Sequence, residues 1–125
     1  MKTQQSGFTL IELVMVIVIL GILAATAVPA MNGVDDSARQ AAVEGIAGAL
    51  GSASAINYAV RSINSAKGQA IVNCSDVENA LETPLDVTEY KITPGAVTAG
   101  STAVCTVASL TGSTPSATFV AHGIN

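Results

Sequence analysis

The sequence predicts an α+β chain in which a long N-terminal helical spine packs against a small antiparallel β-sheet head closed by one disulfide. Three observations predict it. An apolar run without a polar side chain, LVMVIVILGILAA, fills residues 13–25. Apolar residues then recur at steps of three and four as far as Ile63, the period of a helix with one buried face. Beyond residue 64, short alternating runs sit between turn-forming residues, as strands do. The chain accordingly divides into a leader (residues 1–7), a membrane-compatible helix (8–30), the amphipathic half of the same helix (31–63) and a head (64–125).

Composition narrows the function classes. Half of the 125 residues are hydrophobic, 11% are charged and 3% are aromatic, with no Trp. A formal net charge of −4 argues against nucleic acid or anionic lipid as a partner. Catalysis is not expected: His122 is the single histidine, which leaves no Ser/His/Asp set, and there is no P-loop or glycine-rich dinucleotide turn. No cofactor or metal is expected either, because two cysteines and one distant histidine form no ligand spacing. Cys74 and Cys105 both follow the apolar run, so in an exported segment they form one disulfide.

Residues 1–7 are short and polar, and Lys2 is the sole basic residue before Arg39. The positive-inside bias keeps that end in the cytoplasm and sends the remainder outward. Residues 8–28 would span roughly 31 Å as a helix, the thickness of a bilayer core. Apolar on every face, they do not form a soluble amphipathic helix. Gly21 weakens the helix locally, and Pro29 removes the amide that would bond the Ala25 carbonyl. Residues 21–29 are therefore where the helix is expected to loosen.

Glu12 stands immediately before this run. A charge at bilayer depth costs about 2.5–3.5 kcal/mol on insertion scales, so Glu12 calls for a partner. The residues alone leave three readings open. Glu12 pairs with a buried amine, it sits at headgroup level as an N-terminal helix carboxylate, or the segment is a secretory signal peptide. In that last case Lys2 is the n-region, residues 13–25 the h-region, and Ala25-Thr26-Ala27 the cleavage site.

The stretch GFTLIELVMVIVILGILAATAVP resembles the N-terminus of type IV prepilins and type II secretion pseudopilins, and the resemblance covers about the first thirty residues. It implies a pilin fold and cleavage between Gly7 and Phe8 by a prepilin peptidase, which also methylates the freed amine of Phe8. It further implies that Glu12 meets the Phe8 amine of a neighbouring copy during assembly. The loosening between Gly21 and Pro29 would then take place in the fibre. Loss of Lys2 leaves four basic against nine acidic side chains, a balance of −5. The implied partners are other copies of the chain in a helical homopolymer, the peptidase, the inner-membrane assembly machinery and the membrane itself. The implied course runs from the inner membrane to an extracellular pilus with surface roles of the adhesion, motility or DNA-uptake kind. Residues 35–59, DDSARQAAVEGIAGALGSASAINYA, resemble the branch typified by mannose-sensitive haemagglutinin pilin. Pseudopilins often bind calcium near the C-terminus, and no acidic cluster follows Glu89 here.

In the second half of the helix, Val43, Ile46, Leu50, Ala53, Ile56, Val60 and Ile63 form the expected core stripe. Gly45, Gly48, Ser52 and Ala55 form a small-residue face suited to close helix packing. Unbroken, residues 8–62 would measure about 82 Å. In the head, residues 64–68 read as a turn, Ser75-Asp-Val-Glu78 as a capping box opening a short helix to Leu81, and residues 87–93, 103–110 and 117–122 as strands of a meander. A Cys74–Cys105 bridge would tie the short helix to the middle strand, and its chain-entropy contribution is about 3–4 kcal/mol.

Overall fold

The computed structural model describes residues 7–125, with the side chains of Ala30 and Asn32 outside the description. The leader residues 1–6, Lys2 among them, lie outside it too. Helix α1 runs over Leu10–Ile63 and contains Pro29, so the expected single spine is present. It begins at Leu10 rather than Phe8, because Thr9 is spent as its cap. The chain forms two compact units, one ending at Asp35 and one comprising Asp36–Asn125.

In the first unit, none of the described residues lies over α1. The window Leu10–Pro29 is long and apolar enough to cross a membrane, and none of it is buried. Its 20 residues would extend roughly 30 Å, matching a hydrocarbon core. The hydroxyl of Thr26 donates to the Leu23 carbonyl at 2.9 Å, which satisfies the polar group within the helix, as an apolar surrounding requires.

The second unit is a helix-on-sheet layer. After the spine, a 3-10 helix spans Cys74–Ala80. The sheet follows, with β1 (Tyr90–Ile92), β2 (Thr102–Ser109) and β3 (Ser116–His122). The strands lie in the order β1-β2-β3 and every pairing is antiparallel, the expected meander. Its core joins Val43, Ala47 and Leu50 of α1 to Ile71, Val77, Ile92, Val107, Phe119 and Ala121. Cys74 and Cys105 form a disulfide with a Cα–Cα separation of 5.7 Å, and it joins the 3-10 helix to β2.

The buried stripe of α1 departs from the expected one in its distal half. Val43 and Leu50 are fully buried, but Ile56, Val60 and Ile63 are 65%, 39% and 88% exposed. The helix buries Ser54 and Asn57 in their place. Both are polar, and each closes a backbone gap. Ser54 Oγ accepts the His122 N–H at 2.7 Å. Asn57 donates from Nδ2 to the Gln69 carbonyl at 2.9 Å and accepts the Gln69 N–H at 2.7 Å, pairing with that residue as another strand would. An unpaired buried backbone group costs about 1–3 kcal/mol, and that cost outweighs apolar periodicity at this seam. Gly68, at φ +73°, lets the exit turn fold back here; a Cβ on it would stand 2.6 Å from Asn57 Oδ1.

Two further differences share a physical cause, side chains of Asn and Asp that compete for backbone donors. The short helix is capped by Asn73 and Asp76, not Ser75 and Glu78. Asn73 Oδ1 accepts from the Ser75 amide at 3.2 Å and the Gly95 amide at 3.1 Å, and Asp76 Oδ2 accepts the Asn73 amide at 2.8 Å. The first strand shrinks to three residues because Asp86 folds the preceding four into a turn. Its Oδ1 takes the Thr88 amide at 2.9 Å, and its carbonyl takes the Tyr90 amide also at 2.9 Å. The other two strands each begin one residue early, and β2 ends one residue early.

Candidate functional site

The start of α1 is where the chemistry of the chain concentrates. Thr9-Leu-Ile-Glu12 is a capping box. The Thr9 amide and the Thr9 hydroxyl donate to Glu12 Oε2 at 2.8 and 2.7 Å, and the Glu12 amide donates to Thr9 Oγ1 at 3.3 Å. Two donors that a helix start leaves orphaned are thereby satisfied. The arrangement also fixes Glu12 within the first turn, where the helix dipole favours an anion. Among the described residues nothing bonds Glu12 Oε1, so half of the carboxylate faces outward. Gly7 and Phe8 precede the helix without regular secondary structure, and Phe8 is 92% exposed.

The structure thus places Phe8 and Glu12 at one end of one uncovered helix, and assigns Glu12 a role within its own chain. Thr9 is the residue that sequence reasoning missed, although the T-x-x-E spacing ahead of an apolar run was its signal. Gly21 and Pro29 both lie inside α1, which is helical through both. Nothing lies within 4 Å of where a Cβ on Gly21 would stand, as on a helix without close neighbours.

Elsewhere the polar groups serve structure. The His122 ring lies 5.8 Å from that of Tyr58 in a tilted pair, and its backbone is held by Ser54. No group of three or more His, Cys, Asp or Glu suited to a metal occurs among the described residues. Gly45, Gly48, Ser52 and Ala55 are exposed, and among the described residues nothing lies within 4 Å of a Cβ on either Gly45 or Gly48.

The site is thus an apolar helix, uncovered among the described residues, with one acid held in its first turn. The prokaryotic N-terminal methylation motif matches residues 2–28. Beyond the motif, the chain is similar to the type IV major fimbrial protein FimA of Dichelobacter nodosus, 59% identical over 46 residues, which are 37% of this chain and 28% of that protein. It is also similar to the type IV narrow pilus major component PilA5 of Thermus thermophilus, 49% identical over 71 residues, 57% of this chain and 55% of that one. The chain therefore spans about a quarter and about half of the length of these relatives, and neither is named as a mannose-sensitive haemagglutinin pilin. No solved structure matches it.

Proposed function

We propose that this chain is the structural subunit of a type IV pilus filament. It waits in the inner membrane, loses residues 1–7 to a prepilin peptidase that cuts between Gly7 and Phe8, and is methylated on the Phe8 amine. Inner-membrane assembly machinery then extracts it into a helical homopolymer on the cell surface. The observation that carries this reading is Glu12, an acid held at the mouth of a helix whose apolar side chains over Leu10–Pro29 none of the described residues bury.

Glu12 Oε1 is the group offered to a neighbour's Phe8 ammonium. Two such charges attract strongly in a low dielectric, and desolvation offsets much of that gain. The net effect is to fix register between subunits, as a buried polar residue does in a coiled coil. In the fibre, residues 21–29 unwind, because Pro29 has no amide to bond the Ala25 carbonyl and the helix is already one hydrogen bond short there. Both named relatives are pilus subunits, which favours a pilus over a type II secretion pseudopilus.

Mass spectrometry of the N-terminal peptide of the mature protein tests the processing. A methylated Phe8 start is expected, and a start near Val28 would mean that signal peptidase releases a soluble module. Assembly is tested by Glu12→Val. The variant should insert and accumulate in the membrane while sheared filaments fall about tenfold or more, the equivalent of losing one charge-assisted contact per subunit. Wild-type filament yield from Glu12→Val would reject the pairing.

A further inference from the structure

The charges of this chain are unevenly spread. Lys91 is the last Asp, Glu, Lys or Arg, and residues 92–125 hold none. They include both long strands, so the solvent face of β2 and β3 is uncharged. Val104 lies opposite Val120 there, with Thr106 opposite Thr118 beside them. The two valines are 73% and 44% exposed and form a blunt apolar ridge on a face that an isolated soluble domain would keep polar. A second charge-free region is on α1, where residues 45–60 carry no charge and Ile56 and Val60 are exposed. Those two side chains line a cleft of about 450 Å³ together with Leu81 of the segment after the 3-10 helix, and Glu82 is the single charged residue of its lining.

We propose that ridge and cleft are the two halves of one contact between copies of this chain, the Val104–Val120 ridge of one subunit seating in the Ile56–Val60–Leu81 cleft of the next. The inference rests on the filament reading above and adds which surfaces of the heads meet. Charge selects the occupant. The heads are acidic and repel one another when crowded. Cleft against cleft would set two Glu82 carboxylates face to face, whereas the ridge brings no carboxylate to the cleft. Geometry selects the mode of assembly. Two different patches on one chain make a heterologous contact that propagates, while a patch pairing with itself closes as a dimer. The exposure of Ile56 and Val60, at odds with helical periodicity within one chain, is accounted for once a second chain covers them.

The test uses the full chain in cells that assemble it. Both native cysteines are held in the Cys74–Cys105 bridge and no other thiol is present, so introduced cysteines report cleanly. Mild oxidation of sheared filaments carrying Val104→Cys with Val60→Cys should give a ladder of dimers and higher multimers on a non-reducing gel, and each single variant should give none. Normal filaments that run only as monomers would overturn the ridge-in-cleft contact alone. Absence of filaments from the wild-type chain would overturn the filament reading and this contact with it. A single variant crosslinked to a different protein would assign the patch to another occupant and overturn the proposal. Independently, Val104→Glu should lower sheared filament about tenfold or more, since it brings a carboxylate into an apolar contact beside Glu82 of the cleft, and adding Ile56→Lys should restore it. The head should melt unchanged in both variants, because both positions are exposed. Wild-type filament yield from Val104→Glu, or no restoration by Ile56→Lys, would overturn the pairing.

Discussion

Leu20 and Leu50 are the same residue in the same helix, yet Leu20 is 59% exposed and Leu50 is fully buried. Around Leu20 every face of the helix is apolar, and none of the described residues covers any of them. Around Leu50 one apolar face is covered, by Val107, Phe119 and their neighbours. The difference teaches that hydrophobicity alone does not mark a core. A stripe is written for the chain's own sheet, whereas a cylinder calls for a surrounding from elsewhere, which on the proposed function is lipid first and then sister helices.

The comparison breaks most readily at the disulfide. Replacing Cys74 and Cys105 with Ser should lower the stability of the head by about 3–4 kcal/mol, read as a fall in its melting temperature, while membrane insertion of residues 10–29 stays unchanged. Leu50→Ala should cost about 3 kcal/mol, within the range for buried leucines, and Leu20→Ala should leave the melting of the head where it was. Equal effects from the two leucines would erase the distinction drawn above. Ser54→Ala, which orphans the His122 amide at the seam, should cost about 1–2 kcal/mol by denaturant titration. Thr9→Val removes the cap of the uncovered half and should cost about 1 kcal/mol. Its readout is faster amide exchange confined to the first turn of α1, in detergent, with the head unaffected.

The smallest effect concerns acid. Hydrogen bonds from the Thr88 hydroxyl and then the Thr88 amide hold the Asp86 carboxyl below its usual range. A carboxyl lowered in the folded state contributes stability above its unfolded pKa of about 3.9, and that contribution is lost as pH falls through the folded value. Thr88→Val should therefore lower stability slightly at pH 7, where that contribution is fully present, and denaturant titration at falling pH should show the difference from the wild type shrinking below about pH 4.

The sequence was most legible where one force dominates. An apolar run of bilayer length, the alternation in β2 and β3, and two cysteines past the run all point one way, and the spine, the meander and the bridge follow. It was least legible where a polar side chain takes over a backbone hydrogen bond. Asn73 and Asp76 moved a cap, Asp86 consumed half of a strand, and Ser54 and Asn57 displaced Ile56 and Val60 from the seam. None of these could be weighed without knowing which amide would otherwise be left bare. At the candidate site, Glu12 drew notice as a charge out of place, while Thr9, which holds it, passed as an ordinary polar residue. That relation is local and was readable from the spacing.

A carboxylate has two oxygens, and Thr9 occupies one of them. On the proposed reading, the acid would have a berth in its own helix while the subunit is stored, and need not carry a bare anion into oil. The vacant oxygen would then receive an arriving ammonium without first letting go of the threonine, so docking would be an addition rather than an exchange. A stockpile of such subunits would be quiet and yet immediately usable, as drawing thread on demand would require.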